Sequence, residues 1–223
     1  MGIASASPDP LLFLLQVSDS ALPIGSYSHS WGLETAVQAG RLRCLEDVQR
    51  YLEGLFHLSL LPQEAQACRL GFHSRRDPGY WLWVNTYLSA CRWPQETHQA
   101  SLQLGKRLAV WGEKHWGIPL PAGEEMHHSP VFGWLGAHAG VEEGACVQAY
   151  LWSTVQALVT AAVKLVPLGQ SEGQHLLCQF QPLIVVGVQE VMQQPPDQLW
   201  SFAPLQERDA RQHQDLYSRL FQS

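Results

Sequence analysis

Residues 144–171, GACVQAYLWSTVQALVTAAVKLVPLGQS, contain a single charged side chain, Lys164. Ala, Val and Leu crowd nearly every face of the stretch, which predicts a helix buried on most sides at the centre of an all-helical domain. Gln148, Ser153, Gln156, Thr160 and Lys164 interrupt it too often for a membrane span. At about 100° per residue, Ser153, Gln156, Thr160 and Lys164 share one strip about 80° wide. Pro167 and Gly169 stop the helix, so Lys164 falls in its last turn, where a cation suits the helix dipole. Lys164 then has two readings. It is a dipole partner whose ammonium reaches water, or it ends a narrow polar window through which a buried helix meets another protein.

The rest of the chain supports such a core. At 223 residues it is long enough for one large domain. Charged residues are 15% of it, against roughly 25% in an average soluble protein, and nine are Trp. Low charge with surplus aromatics fits a surface partly covered by other chains. The net charge of −6 argues against a nucleic-acid partner, which needs a concentrated basic face. No cationic start with an apolar run and cleavage site appears, so no secretory leader is expected. The five cysteines, at 44, 68, 91, 146 and 178, are scattered without a CxxC pair, which fits reduced thiols in a cytoplasmic protein.

Along the chain, residues 1–9 are small and polar and are expected to fray, and Pro10 opens a short apolar helix. Pro23 and Gly25 break the chain, Ser26 or Ser28 is placed to cap the next helix, and Gly40 to end it. Helices are predicted over 45–60, from Pro62 to about 74, over 80–91, and from Pro94 to 111 or 116. The longest loop covers 117–130, a short helix follows over 131–139, and 172–193 must kink or split at Pro182. Residues 207–221 form a last polar helix or tail. With no strand alternation and no repeat, the reading is all-α: a single-domain bundle of about ten helices around the central one. Gly133, Gly136 and Gly140 are spaced for close helix approach, which together with the low charge and the tryptophans points to a homodimer.

No stretch carries recognisable catalysis or cofactor binding. His127 and His128 stand beside Glu124 and Glu125, but adjacent histidines in a loop splay apart and no third ligand is fixed. A solvated loop is therefore expected there, not a soft-metal site. Gly25-Ser26-Tyr27-Ser28-His29 is not GxSxG and no strand precedes it. There is no GxxxxGK[ST] and no GxGxxG, so no nucleotide cofactor is expected.

Three stretches taken together resemble the UreF family of urease accessory proteins. They are LQVSDSALPIGSYSHSWGLE over 15–34, AYLW at 149–152 with AAVKLVPLGQ at 161–170, and SFAP at 201–204 with the terminal YSRLFQS. Glu96-Thr97 and Leu104-Gly105-Lys106-Arg107-Leu108 fit the middle of the family. One run departs from it: Ala210-Arg211-Gln212-His213-Gln214-Asp215 stands where members usually carry a Met-Arg-His-Glu-like sequence. The resemblance implies a non-catalytic, all-helical, dimeric scaffold in the cytoplasm. Such a scaffold would bind the UreD/UreH accessory protein and the GTPase UreG, modulate GTP turnover and help insert nickel into apo-urease. It makes Lys164 and Gln170 candidates for the GTPase or complex face. Ser26, Tyr27, Ser28 and Glu34, with Tyr217, Arg219, Leu220 and Phe221 of a docking tail over 205–223, become candidates for the UreD-type partner. The alternative is a nickel metallochaperone that uses the His-rich loop.

Overall fold

The computed structural model describes residues 8–25, 29–92, 94–121 and 123–222. Its helices are α1 (Pro10–Val17), α2 (Leu33–Gln38), α3 (Leu45–Leu55), α4 (Gln66–His73), α5 (Pro78–Cys91), α6 (Gln95–Trp116), α7 (His128–His138), α8 (Glu143–Leu165), α9 (Gln170–Gln193) and α10 (Pro204–Gln212). A π-helical stretch, Phe56–Ala65, joins α3 to α4, and a 3₁₀ turn, His213–Asp215, follows α10. Among the described residues there is no strand. Local punctuation explains several ends: Asp9 and Asp77 accept from the first free amides of α1 and α5, each ahead of a proline at the first helical position. Residue 9 therefore caps a helix instead of fraying; residues 1–7 lie outside the described residues.

Helix α8 is the core element that the sequence predicts. Cys146, Val147, Tyr150, Leu151, Val155, Leu158, Val159 and Ala162 are buried against α2, α3, α4, α7, α9 and the π-helical stretch. Its polar residues are fewer than the sequence reading required: by length and apolarity alone it could span a membrane, and it is the burial of its apolar faces against neighbouring helices that makes it a core helix. The carboxylate of Glu142 caps it by accepting from Gly144 and Ala145. Of the polar strip, Ser153 and Gln156 are half-buried along a crevice of about 60 Å³ beside Val17, Asp19, Ser20 and Ile24, while Thr160 and Lys164 are exposed.

Pro62 does not start a new helix. It sits inside the wide turn between α3 and α4, where a tighter α-helical turn would drive its ring into the carbonyl four residues back. That carbonyl, on Leu58, lacks the amide proline cannot supply, and the Phe202 N–H donates to it at 2.8 Å. Pro182 does not split its helix either: α9 runs unbroken from Gln170 to Gln193 with Pro182 on its exposed side. The glycines of α7 are used within the chain. A methyl at Gly133 would fall 1.9 Å from the Cys68 carbonyl oxygen, and one at Gly136 would fall 2.4 Å from the Cys146 sulfur. They let α7 press onto α4 and α8, so their spacing is no evidence for contact with a second copy.

Candidate functional site

The expected serine cap of α2 is replaced by Gly32, in the left-handed region at φ 83°. A Cβ there would lie 3.0 Å from the Ala210 amide and the Gln206 carbonyl, so α10 packs directly over the start of α2. Leu33 then enters the core, and Glu34 turns inward at 3% exposure. A carboxylate sealed from water needs donors on both oxygens. They come from the end of the chain: Leu220 N–H at 2.6 Å, Phe221 N–H at 3.0 Å and the His213 ring at 3.0 Å. The other ring nitrogen of His213 lies 2.7 Å from Glu96, whose second oxygen accepts from Arg219 at 2.8 Å. Gln38 donates to the Ser218 carbonyl at 2.9 Å.

The terminal segment therefore folds back over the domain. The stretch read from the sequence as a docking tail or a last helix is packed on the domain through Phe221. No helix follows the 3₁₀ turn, Phe221 is buried, and Tyr217 and Leu220 are exposed. The cause is Glu34, which cannot be buried without the two amides that the tail supplies. Lys164, at the open end of the α8 strip, holds its ammonium 6.0 Å from the centre of the Phe221 ring. The two groups of residues meet at one point: Phe221, tied with Leu220 to buried Glu34, lies beside Lys164. Gln170 is exposed at the first position of α9. Ser26, Tyr27 and Ser28 lie outside the described residues.

A second polar cluster occupies the core. Glu64, in the π-helical stretch at 1% exposure, is ion-paired with Arg92, accepts from Ser129 at 2.7 Å and lies 3.2 Å from the Tyr150 hydroxyl. Arg92 also lies 5.9 Å from the centre of the Trp31 ring. Trp31, Glu64 and Arg92 line one side of a cleft of about 580 Å³ that Tyr87, Trp200 and Gln206 help to close. The His127–His128 segment is not the solvated loop expected. His127 is fully buried, donates its backbone N–H to Asn85 at 2.8 Å, and places its ring nitrogens 3.0 Å from the Ser101 and Ser89 hydroxyls. Burial lowers its pKa to about 2, helped by the charge of Arg92 and by His98. Burial likewise brings His128 down to about 4. No group of three His, Cys, Asp or Glu is placed to hold a metal ion among the described residues.

Sequence reasoning missed His213, Glu96 and Glu64 as organising residues. His213 and Glu96 sit in polar stretches with no apolar period, and Glu64 is a lone acid in an apolar run, so nothing local names the partners of any of them. Only the departure at 210–215 drew attention to the neighbourhood of His213.

At the surface the arrangement presents a clamped tail with two exposed side chains, Tyr217 and Leu220. A protein-family model described as UreF matches residues 42–181, which include Lys164 and Gln170. The chain is 35% identical over 218 residues to a "Urease accessory protein UreF" of Nostoc sp., covering 95% of each. It is 31% identical over 224 residues to one of Bacillus sp. strain TB-90, covering 96% of this chain and 99% of that one. A third, from Azoarcus sp., is 34% identical over 229 residues, with 96% of each covered.

Proposed function

The chain belongs to the UreF family of urease accessory proteins, and from that premise we propose that it is a non-catalytic scaffold bridging two other maturation proteins. One partner is of the UreD/UreH type and the other is the GTPase UreG, whose GTP turnover it modulates while nickel is inserted into apo-urease. It works in the cytoplasm as a homodimer. The observation that carries this reading is the surface around the tail. Tyr217 is fully exposed and Leu220 is 65% exposed, next to Arg219 and Lys164, and the fold gives neither apolar side chain a packing role. Tyr and Arg beside an exposed Leu are the residue types that anchor protein interfaces. The tail is assigned to the UreD-type partner, and the Lys164–Gln170 strip to the GTPase side. Glu34 takes part by holding the tail, and Ser26, Tyr27 and Ser28 are assigned to the same partner on the family resemblance alone.

Co-purification from cells expressing a urease operon, with this protein tagged, tests the bridge. Stoichiometric UreD-type and UreG partners are expected, and light scattering of the complex should give two copies of this chain. Deleting residues 216–223 should remove the UreD-type partner. It should also lower the melting temperature by several degrees, because the Phe221 burial it forfeits is worth about 2 kcal/mol. A truncated protein that retains its partner at full strength would overturn the tail's role; a full-length one that captures neither would overturn the bridge.

A further inference from the structure

We propose that the C-terminal segment is a latch pinned by a doubly protonated His213 ring, and that loss of one ring proton releases it. This rests on geometry and does not require the partner assignment above. His213 is fully buried, and each of its ring nitrogens meets a carboxylate: Nε2 lies 3.0 Å from Glu34 and Nδ1 lies 2.7 Å from Glu96. Both carboxylates act as acceptors elsewhere, Glu34 from two backbone amides and Glu96 from Arg219. As carboxylates neither has a proton to give the ring, and only a ring with two N–H groups then donates to both.

The cluster then balances two negative charges, Glu34 and Glu96, against two positive ones, His213 and Arg219. Losing a ring proton leaves one buried negative charge uncompensated and turns a nitrogen lone pair toward a carboxylate oxygen. The cheapest relief is to let water reach Glu34, and what bars water from it is the backbone of residues 220–221. Every element packed around the ring contributes to this balance. Glu34 comes from α2, Glu96 from α6 and Arg219 from the tail. His29, ahead of α2, is held neutral by burial, by Arg107 and by His213, its pKa lowered to about 4. On α10 itself, Asp209 is paired with Arg41 at 2.6 Å and with Arg208 at 3.1 Å. Release also carries Phe221 away from Lys164.

The test is a pH titration of the whole protein by NMR. It reads the protonation of the His213 ring nitrogens and, in parallel, the exchange protection of the Leu220 and Phe221 amides, corrected for base-catalysed exchange. At about pH 7 both ring nitrogens should carry protons. As the ring titrates, protection of the two amides should fall by at least about tenfold while that of α8 stays unchanged. His213→Gln should abolish the step and leave the two amides unprotected throughout. Arg219→Ala, which leaves the ring between its carboxylates, should keep the step. A neutral ring at about pH 7, a ring that keeps both protons to about pH 9, protection that ignores the ring's titration, or a step that survives His213→Gln would each overturn the latch. If His213→Gln does not fold, the titration of the unaltered protein still decides.

Discussion

Glu64 and Glu34 are both carboxylates sealed from water, at 1% and 3% exposure, yet they hold different kinds of structure. The partners of Glu64 are side chains set on or beside regular helices: Arg92 at the end of α5, Ser129 on α7 and Tyr150 on α8. None of these can leave without opening the core. Two of the donors to Glu34 are backbone amides of a terminal segment with no secondary structure, flanked by the exposed Tyr217 and Leu220. Those donors can leave as a unit. A buried charge thus locks the molecule where its partners are woven into helices, and it makes a reversible closure where they sit on a chain end.

The largest expected effect falls on the locked side. Glu64→Ala leaves the Arg92 guanidinium buried without its counter-charge and two hydroxyls without their acceptor. It should cost about 3–5 kcal/mol in urea denaturation. A loss below about 1 kcal/mol would erase the distinction between the two glutamates.

Acid should strike the same side. An unfolded histidine titrates near 6.5, whereas buried His127 stays neutral down to about 2. Between those values the unfolded chain binds the extra proton, so stability falls as pH drops below 6.5. From His127 alone the loss at about pH 5 is about 2 kcal/mol. His29 and His128, both lowered to about 4, act in the same direction. Denaturation at about pH 5 and about pH 7 gives the trend, and one that runs the other way would separate the buried histidines from stability.

The smallest effect belongs to Lys164. Its side chain is exposed and touches only the edge of the closure, so Lys164→Ala should change stability by less than about 1 kcal/mol. It should still reduce urease activation or the nickel content of the product. A variant that unfolds and loses activation in proportion would make Lys164 structural and remove it from the functional surface.

By itself the sequence determined the helical class, the central helix and much of the punctuation between helices. These follow from local rules: an almost uncharged apolar run over 144–171, proline in the first turn of α1, and prolines and glycines that break the chain between helices. Order along the chain also suffices to recognise the family, since motifs spread over 15–221 keep their sequence. What the tertiary structure alone decided is where charge could be buried. His213 meets Glu96 across 117 residues and Glu34 across 179, and no periodicity reports a pairing at that separation. The widened turn at Pro62 depends on an amide from Phe202, and the glycines of α7 depend on how close α4 and α8 approach. Burying a polar group costs free energy unless distant donors and acceptors arrive together, and only the folded chain brings them together.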